Sequence, residues 1–109
     1  MDLMNINDAM SRLNNNKKLY MLLLKKFDGN VMLNDLLAKI KDGDVAAAEA
    51  TAHTLKGVAA NLSLTDLRFK AEEIDNKLKA GDINADTAGI ELSTIQTIEA
   101  VTAWIAANS

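Results

Sequence analysis

Apolar residues recur three and four positions apart through most of the chain, the rhythm of helices that bury one face. The clearest run is Val45, Ala48, Ala52, Leu55, Ala59 and Leu62, which alternates these spacings without a miss. Leu64, Leu67, Ala71, Ile74 and Leu78 repeat the rhythm directly afterwards. Upstream, Tyr20, Leu23, Leu24 and Phe27 share one face, and the pattern resumes out of phase as Leu33, Leu37 and Ile40. The phase shift across Asp28-Gly29-Asn30 predicts one long helix with a bend or short break at Gly29. Downstream, a last helix from Asp86 to Ala107 is expected to bury Leu92, Ile95, Ile98, Val101 and Ile105.

Polar punctuation separates these runs. In Lys41-Asp42-Gly43-Asp44, Gly43 suits the left-handed C-terminal position and Asp44 suits the cap of the next helix. Lys79-Ala80-Gly81-Asp82-Ile83 echoes that turn while its flanks do not match, so one capping solution is used twice. Ser63 facing Asp66 resembles a capping box, with Leu62 and Leu67 placed as its hydrophobic staple. Four long helices with short connections predict an all-α fold, an antiparallel up-down four-helix bundle. A short extra N-terminal helix near Ile6 to Leu13 would close one end. Residues 1–109 are expected to form a single domain.

Composition narrows the function. Proline is absent from the 109 residues, which permits long unbroken helices. Cysteine is absent too, which removes disulfides and thiolate metal sites. A net charge of -3 argues against a nucleic-acid footprint, and 4% aromatic residues offer no stacking platform. Lys17-Lys18 and Lys25-Lys26 read as solvated helix edges. Met1-Asp2-Leu3-Met4-Asn5 lacks a basic, then apolar, leader, and no apolar run approaches ~20 residues. The expectation is a soluble cytoplasmic protein without membrane insertion.

One residue stands out. His53 is the only histidine, in Ala52-His53-Thr54-Leu55-Lys56-Gly57-Val58-Ala59-Ala60-Asn61-Leu62. At ~100° per residue it falls about 130° from the centre of its helix's apolar stripe, on the solvent side. A surface histidine without a task is the plain alternative. Against it, Ala46, Ala50, Ala60 and Gly57 make an unusually flat strip around the imidazole, and flatness lets a second protein approach. Glycine inside a helix costs about 1 kcal/mol relative to alanine, so Gly57 calls for a reason. A zinc or di-iron site fails on ligand count, Glu49 with His53 making at most a weak two-ligand site. No serine stands in a nucleophile elbow, and no glycine loop cradles ATP phosphates. Free imidazole titrates near pH 6.5, so at pH 7 much of it is neutral and able to attack a phosphoryl group. The charge gathered in that transfer needs a cation, and Lys56 lies one turn away.

These residues, in a four-helix setting, resemble the histidine-containing phosphotransfer (HPt) domain of bacterial two-component phosphorelays. The likeness runs from Leu19 to Asp82 and rests on His-x-Leu-Lys-Gly-x-Ala. The resemblance implies a phosphocarrier rather than an enzyme with kinase or ATP-binding activity. His53 would accept a phosphoryl group from the aspartyl phosphate of one receiver domain and pass it to another. Lys56 would neutralise phosphate charge, and Gly57 would allow close approach of the partner. The partners implied are receiver domains and a hybrid sensor histidine kinase, acting on a monomer, with no nucleic acid. No cofactor or metal of its own is implied; magnesium belongs to the receiver. A side chain from the next helix often bonds the second ring nitrogen in this family, and spacing suggests Asp75, although the wheel leaves open which flank faces His53. Ser63 stands where many members have glycine. The dimerising histidine-kinase domain is rejected, because Thr54 rather than an acid follows the histidine and no proline follows. A non-catalytic adaptor that docks receivers without phosphotransfer is the alternative function. Met21, Leu22 and Met32 are candidates for a docking patch, or else they pack under the extra N-terminal helix.

Overall fold

A computed structural model describes residues 1–109 as six helices without strands: α1 (Ile6–Arg12), α2 (Lys17–Lys25), α3 (Gly29–Lys41), α4 (Val45–Asn61), α5 (Thr65–Lys79) and α6 (Ala88–Asn108). Helices α3 to α6 pack in a closed ring, each against its chain neighbours and α3 against α6. This is the four-helix bundle. Helix α2 leans on α6, and α1 packs on α2. The molecule is a rod, 41 × 22 × 21 Å.

The long first helix is two helices. Asp28 caps α3, its side chain accepting from the Val31 amide, and Gly29 begins the new helix. Space favours glycine there. A Cβ on Gly29 would come within 2.8 Å of the Phe27 ring and 3.2 Å of Ile98. Leu36, fully buried beside Leu33, centres the inward face of α3, whereas Leu37 and Ile40 are only partly covered.

The α4 and α5 stripes are buried almost as the periodicity predicts; only Val45, at the start of α4, is partly covered. Their connection departs from expectation. Ser63 does not cap α5, whose cap residue is Leu64 and receives no side-chain bond. Ser63 instead closes α4 in the left-handed region at φ 55°. Its amide bonds Ala60 O, and the Leu64 amide bonds Ala59 O, the double closure of a Schellman turn. Gly43 and Gly81, at φ 75° and 85°, end α3 and α5 in the same way. So the closure is used three times, and the third relies on serine. The Ser63 hydroxyl donates to Asp8 Oδ2 at 2.7 Å, and the Asn5 amide donates to Ser63 O at 2.9 Å. Helix α1 is thereby fastened over the α4–α5 end. Tyr20, fully buried, donates its hydroxyl to Leu62 O at 2.7 Å and meets Trp104 edge to face.

Helix α6 departs from the expected face over its first half, whereas Val101 is buried as expected and Ile98 and Ile105 are half-covered. Leu92 and Ile95 are 56% and 52% exposed, while Ile90, Ser93, Thr94, Thr97 and Val101 face inward. Apolar residues occur on several sides of this helix, so hydropathy does not single out the buried one. The inward stripe is built of small hydroxyl residues instead. Thr94 satisfies its hydroxyl on Ile90 O at 2.7 Å, as helical threonines can.

Candidate functional site

His53 lies in the middle of α4, with its side chain 62% exposed. Thr51 and Ala52 turn inward just before it, and Leu55 does so two residues later. The buried residues around it are small: Ala48, Ala52 and Ala59 are all fully covered. Small side chains let neighbouring helices approach closely, and the widest packing in the bundle is between α4 and α5.

That approach brings Asp75 of α5 to the histidine and settles the flank left open by the sequence. Asp75 is fully buried, and its Oδ2 lies 3.5 Å from His53 Nδ1. The same oxygen receives Lys56 Nζ at 3.3 Å and Lys79 Nζ at 3.3 Å. Oδ1 is buried without a partner. Burial raises the Asp75 pKa, but hydrogen bonds from Lys56 and Lys79, the Lys79 charge and the contact with His53 outweigh it, and the carboxyl sits below its ordinary value. The group is therefore a buried carboxylate that faces Nδ1 of the imidazole. Nε2 is the nitrogen left without a protein partner.

Gly57, one turn beyond His53, opens onto empty space: a Cβ there would meet nothing within 4 Å. Ala46, Ala50 and Thr54 are exposed on the same helix, and Ala60 is half-covered, so the strip around the imidazole is low in relief. A shallow hollow flanks it on the α3 side, lined by Met32, Asp35, Lys39, Ala50, Thr51 and Thr54. Within it Lys39 Nζ donates to Asp35 Oδ2 at 2.7 Å and to Thr51 Oγ1 at 2.8 Å, tying α3 to α4. A second hollow, between Val45, Ala46, Glu49, Leu78 and Lys79, lies on the α5 side. Met21 and Leu22 are apart from both, in a hollow of α2 shared with Lys18 and Lys25, where Leu22 is 56% exposed.

Of the four residues singled out from sequence, His53, Lys56 and Asp75 converge within one cluster, and Gly57 borders it. Lys79 was missed. Its signal was available, since a lysine four residues after an aspartate on a helix shares its face.

Comparison with known proteins adds one match. The family model described as Hpt domain matches residues 27–107, from the end of α2's connection to the last turn of α6. No curated protein and no solved structure matches the chain. The matched span contains the whole His53 cluster and leaves α1 and α2 outside it.

Proposed function

The chain belongs to the Hpt domain family, the phosphocarriers of two-component phosphorelays, and on that premise we propose that His53 is the residue that carries the phosphoryl group. The observation that carries this reading is an exposed imidazole whose Nδ1 faces a buried carboxylate. Asp75 favours the tautomer with the proton on Nδ1, so the lone pair is on Nε2. Nε2 attacks the phosphorus of a receiver's aspartyl phosphate. A P–N bond forms as the acyl P–O bond breaks, and its electron pair returns to the receiver's carboxylate. The ring keeps its Nδ1 proton and becomes cationic, and the adjacent Asp75 carboxylate stabilises it. Return transfer to a second receiver reverses the same steps.

Lys56, with its side chain 26% exposed, supplies positive charge for the phosphoryl oxygens. Gly57 admits the rim of the receiver's active site, which must bring reacting atoms to about 3–3.5 Å. The flat α4 strip and the Met32 hollow beside it support docking on this face. A receiver of a hybrid sensor kinase and a separate response regulator are the proposed partner pair.

The test is label transfer from a radiolabelled phosphoreceiver. The expected product is an acid-labile, base-stable phosphoramidate on the native chain and none on His53→Gln. If His53→Gln accepts label, the assignment is wrong. If the native chain binds the receiver but takes no label, the adaptor reading replaces it.

A further inference from the structure

The Asp75 carboxylate holds more positive charge than the transfer step calls for. Two lysines from different helices end on the same oxygen, Lys56 from α4 and Lys79 from α5, each at 3.3 Å. In the resting protein the Lys56 ammonium is therefore engaged by Asp75. To neutralise a phosphoryl group on Nε2 it must loosen that contact. Asp75 is fully buried and its Oδ1 has no partner, while the His53 ring beside Oδ2 gains charge only as the P–N bond forms, so until then only a second lysine can stand in for a departing Lys56. A buried carboxylate stripped of its partner is strongly unfavourable. With Lys56 as its only cation, Asp75 would hold that lysine back from the phosphate.

We propose that Lys79 is a positioning residue that keeps Asp75 paired while Lys56 turns to the phosphoryl group, which makes Lys56 free to act. The inference rests on the reading of His53 as the phosphate carrier. Lys79 suits the task by placement. It follows Asp75 by four residues on α5, so its helix alone carries it to the carboxylate whatever Lys56 does. Glu49 is the one acidic residue lining the hollow beside Lys79, and it forms no ion pair with it. The two lysines thus divide the work: one is anchored to Asp75 by its own helix, and the other is exchangeable between Asp75 and phosphate. In this assignment Lys79 acts through Asp75 and not on the phosphate or the partner.

The test is a double-mutant cycle on the rate of transfer from a labelled phosphoreceiver, with melting temperatures measured for every variant. Lys79→Gln should slow transfer about 10-fold, within the range of couplings between neighbouring charged groups. Lys79→Arg should retain the native rate, because the charge at Asp75 is kept. In an Asp75→Asn background, Lys79→Gln should have no further effect, since no carboxylate remains to hold Lys56. Equal slowing in both backgrounds would mean that Lys79 acts directly on phosphate or partner, and would overturn the proposal. No slowing in the native background would overturn it as well. Should Asp75→Asn fail to fold, the lysine Nζ resonances decide the matter. After phosphorylation with phosphoramidate, Lys56 Nζ should shift and Lys79 Nζ should stay. Matching shifts at both would refute the division of roles. The native chain controls for the parent reading: absence of label on His53 there fails that reading, whereas normal labelling with an inert Lys79 fails only this one.

Discussion

Gly57 lets stability and function be moved in opposite directions by one side chain. It occupies an exposed interior position of α4, and a Cβ added there meets nothing within 4 Å. Gly57→Ala removes the entropic cost of glycine without a clash, which raises stability by up to about 1 kcal/mol. At this chain length that corresponds to a melting temperature about 4 °C higher. Gly57→Gln should also fold, because no core atom is displaced. Both variants place bulk one turn from His53, on a face where residues four apart have Cβ atoms about 5–6 Å from each other. A methyl lifts the surface by roughly 1.5 Å, one bond length, and glutamine lifts it several times further. Misplacement of reacting atoms by about 1 Å can reduce rate on the order of 100-fold. Transfer from a phosphoreceiver should therefore fall in the order Gly57, Gly57→Ala, Gly57→Gln, while calorimetric melting holds or rises. A Gly57→Gln protein that transfers phosphate at the native rate would refute the close-approach explanation. An unfolded one would mean that the glycine serves packing.

Other variants probe the rest of the arrangement. Lys56→Ala should fold normally and slow transfer roughly 10- to 150-fold, the effect of losing about 1.4–3 kcal/mol of charge stabilisation; single-turnover kinetics against a phosphoreceiver would show it. Tyr20→Phe loses the bond to Leu62 O and should destabilise the fold by about 1–2 kcal/mol in denaturant titration. Burial pushes the Tyr20 hydroxyl up to about 12 from 10.0. Its stabilising contribution is thus complete below pH 10 and declines as pH rises toward 12, a decline that Tyr20→Phe should lack. Ser63→Gly relieves the positive φ but loses the bond to Asp8, two effects that nearly offset, whereas Ser63→Ala keeps the strain and loses the bond. Chemical unfolding should rank glycine above alanine at this position, and the reverse order would count against the turn assignment.

What was legible in the sequence follows from which signals were unopposed. In α5 apolar residues occupy one face and polar residues the other. In α4 the large apolar residues Leu55 and Leu62 share one stripe with regularly spaced alanines, while the outer face carries mostly small or polar side chains. The stripes from Ala48 to Leu62 and from Leu64 to Leu78 could therefore be read in register. In α6 two faces compete. Leu92 and Ile95 outrank Ser93, Thr94 and Thr97 in hydropathy, yet the smaller hydroxyl residues fit the interior. The Ser63 turn reads in sequence as a capping box because serine is a common helix cap, and only the glycine that many family members carry at this position points to a positive φ. Its support comes from Asp8, 55 residues away in sequence. The exposed site fared better because a flat strip around a lone imidazole is a property of one helix face. Asp75 could be placed only as a flank, since its orientation depends on how α4 and α5 pack.

That packing links the composition of α4 to its chemistry. Alanines on the inner face, Ala48, Ala52 and Ala59, are fully buried and take little room. Alanine and glycine on the outer face, Ala46, Ala50 and Gly57, leave the imidazole proud of its surroundings. The inner set draws α5 close enough for a carboxylate rooted beside Ile74 to reach Nδ1 on the far edge of the neighbouring helix. The outer set does the converse, keeping Nε2 accessible while its opposite nitrogen is held. An alanine-rich helix therefore serves both nitrogens of a single ring. On one side it admits a buried anion beside Nδ1, and on the other it leaves Nε2 open to the receiver that the proposed transfer requires.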